Sequence, residues 1–273
     1  MSGLPADPTR PAADLDAQRI ADRLQTARYG RSLRVLAITD STNDDARSDA
    51  LSGAPDGHVV VADGQREGRG SHGRRWTSPA GTDLYLSIVT RPRLPISALP
   101  PLTLAVGLGV AEAVERLLWA ELGACTEVKW PNDVWLRGKK CAGILVEAST
   151  LGSDIGPVVV GVGLNVNRTQ WERELEPSAT SLRAARPGAG HVDRADALCA
   201  LLLGVERWID RFVADGGEPI AAALDARLAL RGRRVRCGDA EGVLLGVAPS
   251  GAVRIATGAS ARELPAGRLE PCE

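Results

Sequence analysis

Aromatic residues make up only 3% of this 273-residue sequence, with a single Phe and a single Met. The core must therefore be built mainly from Leu, Val, Ala and Ile. Neither sign of charge predominates: 33 Lys and Arg stand against 34 Asp and Glu, a formal net charge of -1. That balance argues against a broad nucleic-acid-binding surface, which needs a cationic face, while leaving room for a local basic loop. No CxxC pair occurs. The five cysteines (Cys125, Cys141, Cys199, Cys237, Cys272) are scattered and odd in number, so reduced thiols are expected. The first residues, MSGLPADPTRPAADLD, lack an apolar h-region and are no signal peptide. The most apolar run, Leu102 to Val114, carries Glu112 and falls short of the ~20 residues of a membrane span. The expectation is a soluble, cytoplasmic protein with no membrane partner.

The length fits one large domain plus a small one. Residues 1 to 13 hold three prolines and read as a disordered tail. From 14 to 230 helical and strand patterns mix. A helix is expected over Asp14–Ala27, with Leu15, Ile20 and Leu24 on one face. Strands are expected at Leu33–Ile38, His58–Ala62 and Asp83–Thr90, the last with Leu84, Leu86 and Ile88 inward. Ser41-Thr42-Asn43 supplies N-cap residue types before another helix. Leu102–Leu122 reads as a buried helix. Glu127–Trp130, Cys141–Ala148 and Pro157–Asn165 read as strands, the last Val-rich enough to be covered on both faces. Asp193–Val213, capped by Asp193, and Pro219–Leu230 read as helices. From 231 to 273 short strands split by Gly, Asp and Ser turns (Arg233–Cys237, Glu241–Ala248, Gly251–Thr257, Ala261–Leu264) describe a small β-barrel, too small to be very stable undocked.

Residues 64 to 82 form a long loop without period, and such loops tend to be functional or disordered. Gly68-Arg-Gly-Ser-His-Gly73 matches GxGxxG, but no helix opens after it, so a dinucleotide fingerprint is excluded. The same glycines have Walker-A spacing, but Arg74-Arg75 stands where Lys-Ser/Thr is required. Arg66, Arg69, Arg74 and Arg75 face one acid, Glu67; such a loop neutralises phosphates, with Trp76 offering a flat face to a purine. On the loop alone, a solvated mobile loop with a structural Trp is the plainer reading of the same residues. Lys129-Trp-Pro-Asn-Asp133 followed by Lys139-Lys140 is a strand stop, a tight turn and a new strand. Its polar groups converge on one anionic ligand or pair with one another.

The run Lys129-Trp-Pro-Asn-Asp-Val-Trp-Leu-Arg-Gly-Lys-Lys-Cys-Ala-Gly-Ile-Leu-Val-Glu147 resembles the signature of biotin protein ligases. Gly68-Arg-Gly-Ser-His-Gly-Arg-Arg-Trp76 resembles their biotin and adenylate loop, and Ser41-Thr-Asn43, Gln65 and Gly161-Val-Gly-Leu-Asn165 fall in the family's order. The resemblance covers about residues 35 to 270. It implies an α+β fold: a mixed β-sheet catalytic domain packed with helices, of the class II synthetase-like biotin–lipoate ligase type, plus a C-terminal SH3-like barrel. It implies an enzyme that makes biotinyl-5'-AMP from biotin and ATP with Mg2+. Biotin then passes to a lysine of the carrier domain of an acyl-CoA carboxylase. By match to the family, Lys140, Arg69 and Asp133 are the catalytic residues. Lys140 and Arg69 contact the carboxylate and α-phosphate, and Asp133 orients magnesium or the incoming lysine. Ser41, Thr42, Asn43 and Gln65 hold the ureido head of biotin. Gly68, Gly70 and Ser71 belong to the biotin loop. Gly143 and Leu145 line the biotin pocket, and Gly161 and Gly163 permit close approach. Trp76 packs near adenine, and Lys129, Asn132 and Asn165 sit near phosphates or adenine.

Two departures stand out. Ser71 replaces a common Arg, removing a cation beside the adenylate, and His72 stands where another basic residue is frequent. Only about thirty residues precede the first strand, too few for the winged-helix domain of relatives that repress transcription. No operator DNA binding is therefore expected, and the protein is expected to be a monomer or weak homodimer. A lipoate ligase or octanoyl transferase is the alternative enzyme. A catalytically silent biotin sensor is the alternative outside enzymes.

Overall fold

The computed structural model describes residues 13–151, 154–258 and 260–272; the expected tail, apart from Ala13, lies outside them. The β-branched runs pair into a seven-stranded sheet in the order β1-β2-β3-β7-β6-β5-β4. Its strands are β1 (Leu33–Thr39), β2 (Val59–Gln65), β3 (Leu84–Thr90), β4 (Thr126–Lys129), β5 (Asp133–Leu136), β6 (Lys139–Leu151) and β7 (Asp154–Leu164). β1 and β2 run parallel, and every other neighbouring pair is antiparallel. The period of 2 divides each strand between two environments. Leu84, Leu86, Ile88, Val158, Val160 and Val162 enter the main core with helices α1 (Ala17–Arg23), α3 (Pro100–Leu122) and α4 (Arg194–Asp215). Val60, Val89 and Val159 on the other face pack under α2 (Thr42–Leu51) against Ala46 and Ala50. β3 is thus buried along its whole length.

α3 starts on Pro100-Pro101, which fit a first turn because those N–H groups have no intrahelical partner. It ends at Gly123, whose φ of 62° reverses the chain. α4 is capped by Asp193, whose carboxylate accepts from the Asp196 N–H at 3.1 Å, as expected. α3 and α4 meet backbone to backbone: a Cβ on Gly109 would lie 2.7 Å from the Gly204 carbonyl. The start of α4 is fixed by Arg194, fully buried, which donates to Asp14 (2.6 Å), to Asp63 (2.6 Å) and to the Asp83 carbonyl (3.3 Å). A charge taken out of water is tolerated only with such partners.

Three expected elements differ. The Asp14–Ala27 helix is a 3-10 turn (Ala13–Leu15) and the short α1, because the Asp14 carboxylate is committed to Arg194 and Asp16 caps α1 through the Arg19 N–H; Leu15, Ile20 and Leu24 are buried as expected. The last catalytic-region helix, α5, spans only Glu218–Leu224. Past it the chain bonds to the sheet edge, with Val128 N–H donating to the Arg227 carbonyl (2.8 Å) and Ala229 N–H to the Val128 carbonyl (3.0 Å). Covering an exposed edge strand outweighs two more helical turns. Between Asn132 and Lys139 the sequence reading has a turn; the structure has β5 there, closed onto β6 by Arg137 (φ 51°) and Gly138 (φ 76°). Two consecutive left-handed residues match the twist of a tight hairpin.

The C-terminal segment forms a five-stranded antiparallel sheet in the order β11-β10-β9-β8-β12: β8 (Arg234–Cys237), β9 (Ala240–Val247), β10 (Val253–Thr257), β11 (Ser260–Leu264) and β12 (Leu269–Pro271). The first four match expectation and β12 does not appear in it. Among the described residues β11 and β12 do not pair, so the expected barrel is present only as an open sheet. Val235, Leu244, Val253, Ile255 and Leu269 belong to the main core. Trp130 reaches across, its indole N–H donating to the Gly251 carbonyl at 3.0 Å.

Gly204→Ala tests the helix crossing. Alanine raises helix propensity by up to ~1 kcal/mol, but its methyl group meets the Gly109 carbonyl. The expected result is a net loss of about 1–3 kcal/mol in urea denaturation; a gain would show that the helices separate at no cost.

Candidate active site

On the α2 face of the large sheet lies a cavity of about 380 Å³. The β6–β7 register builds its floor: Gly143 pairs with Gly163, and Leu145 with Gly161. The missing side chains are filled by others. A Cβ on Gly161 would overlap the Asn43 amide, and one on Gly143 or Gly163 would overlap the Trp76 indole. Gly161 and Gly163 do permit close approach, but here they admit protein side chains. Trp76 therefore lies across the glycine floor, and its Nε1, though buried, has no hydrogen-bond partner among the described residues.

At one end a polar cage surrounds the start of α2. Thr42 donates through its N–H (2.9 Å) and hydroxyl (3.1 Å) to Gln65 Oε1, and Gln65 Nε2 donates to Ser78 Oγ (3.0 Å). Ser87 Oγ lies 2.8 Å from Thr42 Oγ1 and 2.6 Å from Asn43 Oδ1, and Asn43 Nδ2 donates to Glu147 (2.7 Å). Ser41 occupies the N-cap position, buried, without a side-chain bond to the helix. Ser87 and Glu147 complete this cage and were not anticipated. Their signal was the period of 2, which places Ser87 beside Val89 and Glu147 beside Leu145 on the cavity face.

The cations stand at the other end and along the loop. Lys140 Nζ pairs with Asp133 at 2.5 Å and sits 5.2 Å from the Trp76 ring centroid. Arg69 is bound by Asp44, with Glu147 3.6 Å away, and this hydrogen bonding holds the Asp44 carboxyl below the usual carboxylate range. Lys129 faces the Trp135 ring at 5.5 Å. Burial pushes its amine below the ordinary lysine value; Asp133 opposes that, while Arg268 and Lys140 add to it. These residues expose a compositional signal: the chain has three lysines, Lys129, Lys139 and Lys140, all in this one segment.

The loop closes as a small hairpin, Gly70 N–H donating to the Arg74 carbonyl (2.7 Å) and Trp76 N–H to the Gly68 carbonyl (2.8 Å). Gly70 lines the cavity, but Gly68 does not. A side chain on Gly68 would collide with the Trp76 carbonyl, so this glycine serves hairpin closure. Ser71 Oγ accepts from Arg74 Nη2 (3.1 Å) and Asn132 Nδ2 (3.2 Å). Asn132 Nδ2 also donates to the Ile144 carbonyl (2.8 Å), and Asn165 Nδ2 to the Thr180 carbonyl (3.0 Å). Both asparagines thus hold the walls while lining the cavity. Apart from Gly68, every site residue expected from the sequence lines this one cavity. The walls also include Arg168, Trp171, Leu175, Ser178 and Ala179, and, from the C-terminal sheet, Gly267 to Leu269. No motif marks these positions.

Residues 35–165 match the family model described as the Biotin/lipoate A/B protein ligase family. The biotin--[acetyl-CoA-carboxylase] ligase of Mycobacterium tuberculosis is 41% identical over 225 residues, 81% of this chain and 80% of that protein. The bifunctional ligase/repressor BirA of Bacillus subtilis is 32% identical over 264 residues, 94% of this chain and 79% of that protein. The structure of the Aquifex aeolicus biotin protein ligase in complex with biotin and ATP superposes with a TM-score of 0.77 at 28% identity, covering 89% of this chain and 100% of that one. The glycine-floored cavity, the cations around it and these likenesses agree: the chain belongs to the biotin protein ligase family and is an enzyme of that family.

Proposed function

We propose that this enzyme activates biotin with ATP and transfers it to a lysine of an acyl-CoA carboxylase carrier domain. The observation that carries the reading is one cavity lined at one end by the uncharged polar side chains of Ser41–Asn43 and Gln65, with cations at Arg69, Lys129 and Lys140. Uncharged donors and acceptors suit the ureido head of biotin, and cations suit its carboxylate and the phosphates. The biotin carboxylate oxygen attacks the α-phosphorus of ATP and pyrophosphate leaves. The carrier amine then attacks the acyl carbon, gives up its proton, and AMP leaves. No protein nucleophile is required, so the work is positioning and stabilisation of charge growing on phosphate oxygens. Lys140 is assigned to the carboxylate and α-phosphate and Arg69 to the same anions from the loop. Lys129, Asn132 and Asn165 are assigned to the nucleotide, with Trp76 between the two ligands. Leu145, Gly143, Gly161, Gly163 and Gly70 are assigned to the walls around biotin.

Asp133 is released from Lys140 when an anion takes its place, and is then free to meet the incoming amine. Among the described residues no cluster of three metal-ligating side chains occurs. Mg2+ would be held by the phosphates of ATP, where Asp133 is assigned to help orient it. Residues 14–230 are assigned as the catalytic domain and 231–273 as an SH3-like unit docked on it.

Lys140→Ala is expected to lower transfer of labelled biotin to a carrier domain about 100- to 1000-fold, the usual effect of removing one group that stabilises the transition state. No labelling by the wild type, with biotin binding intact in both proteins, would favour a silent biotin-binding protein. ATP–pyrophosphate exchange should depend on biotin; exchange driven by lipoate instead would favour the lipoate-ligase reading.

Ser71→Arg restores a cation beside the adenylate and is expected to slow biotinyl-AMP release about tenfold, the effect of one added ~1.4 kcal/mol contact. Equal release from the two proteins refutes the role given to Ser71. In the free enzyme, Lys129 is expected to titrate below the ordinary lysine value of ~10.4 and to rise when ATP is added. Reductive 13C-methylation makes this visible by NMR, since only three lysines are labelled. An ordinary value unmoved by ATP would remove Lys129 from the phosphate site.

A further inference from the structure

Arg168 has no place in the chemistry above, yet it joins two parts of the cavity wall to a buried carboxylate. It is 9% exposed. Its own backbone is fixed, the N–H donating to Asp83 Oδ1 (3.3 Å) and the carbonyl accepting from Ser181 Oγ (2.5 Å). The guanidinium forks onto the fully buried Asp83, with Nε at 2.9 Å and Nη2 at 2.8 Å from Oδ2. Neutralising Asp83 needs no more than this. Nη2 also donates to the carbonyl of Thr77, the residue after Trp76, at 2.8 Å. The ring of Trp171 lies 4.9 Å from the guanidinium carbon. Thr77 and Trp171 both line the cavity, one at the root of the glycine-rich loop and the other in the wall that follows β7.

The contacts fall at one end of the site. The 165–180 segment leaves β7 at Asn165 and returns to Lys140, whose N–H donates to the Ser178 carbonyl at 2.8 Å. The cage around Asn43 meets β7 at Gly161, four residues earlier and roughly 13 Å away along a strand. Only a planar fork satisfies a carboxylate, a backbone carbonyl and an aromatic face together; an ammonium matches the carboxylate alone.

We propose that Arg168 is a positioning residue for the nucleotide half of the site. Through the Thr77 carbonyl and the Trp171 ring it sets the gap between the loop root and the opposite wall, at the end assigned above to the nucleotide. The inference rests on ATP being the second substrate. It is tested with Arg168→Lys, Trp171→Leu and the double variant, reading ATP affinity by calorimetry, biotin-dependent pyrophosphate exchange and thermal melting. Arg168→Lys keeps a cation beside Asp83 and is expected to melt near the wild type. Both single variants should weaken ATP binding about tenfold, a loss of about 1.4 kcal/mol of binding, with KM for biotin changed by less than about twofold. The double variant should be no weaker than the worse single one, because both act through one stack. Unchanged ATP affinity in the single variants, or multiplying effects in the double, overturns the proposal. If Arg168→Lys does not fold, Trp171→Leu decides alone, since it leaves the Asp83 pair intact. A wild type that binds ATP without biotin-dependent exchange refutes the ligase reading while the affinity comparison still judges Arg168. A wild type that does not bind ATP overturns both.

Discussion

The register of β6 against β7 governs the site. Ala142, Ile144, Val160 and Val162 send their side chains into the core, and this alternation leaves Gly143, Leu145, Gly161 and Gly163 on the cavity face. A slip of one residue would exchange the faces, putting valines in the cavity and glycines in the core. The apolar side chains that fix the strand pairing therefore also fix the floor on which Asn43 and Trp76 rest. The catalytic surface is the reverse side of a packing decision.

The charges follow a second rule. Arg69 is bound to Asp44 and Lys140 to Asp133, so each cation offered to an anionic ligand is already matched by a carboxylate. Buried or half-buried charge is costly when unmatched, and binding becomes an exchange of one anion for another. Lys129 is the exception: an aromatic face and a nearby Asp133 only partly offset its burial, and its lowered proton affinity records the deficit.

Much of this was legible in the sequence. The valine runs, the long apolar helix, the Asp193 cap and the alternating Leu84, Leu86 and Ile88 state their own environments. The Lys129–Gly143 segment and the Gly68–Trp76 loop named the site once their resemblance was taken into account. What could not be read depends on partners far along the chain. α5 is cut short by a sheet edge at Val128, and α1 by the demand of Arg194 for Asp14. Gly68 does not line the cavity, and the reason only glycine fits there is the Trp76 carbonyl eight residues on. Arg168 and Arg268 carry no motif; only the folded wall reveals them.

Trp130 belongs to the most recognisable run of the sequence, yet its indole is spent on the Gly251 carbonyl of the C-terminal sheet. Leu269 from that sheet enters the main core, and Gly267 and Arg268 line the cavity. The two sheets are thus a matched pair. A chimera that exchanged the C-terminal sheet with that of a relative would inherit a turn carbonyl, a core leucine and a stretch of cavity wall all at once. Such parts are interchangeable only as a set.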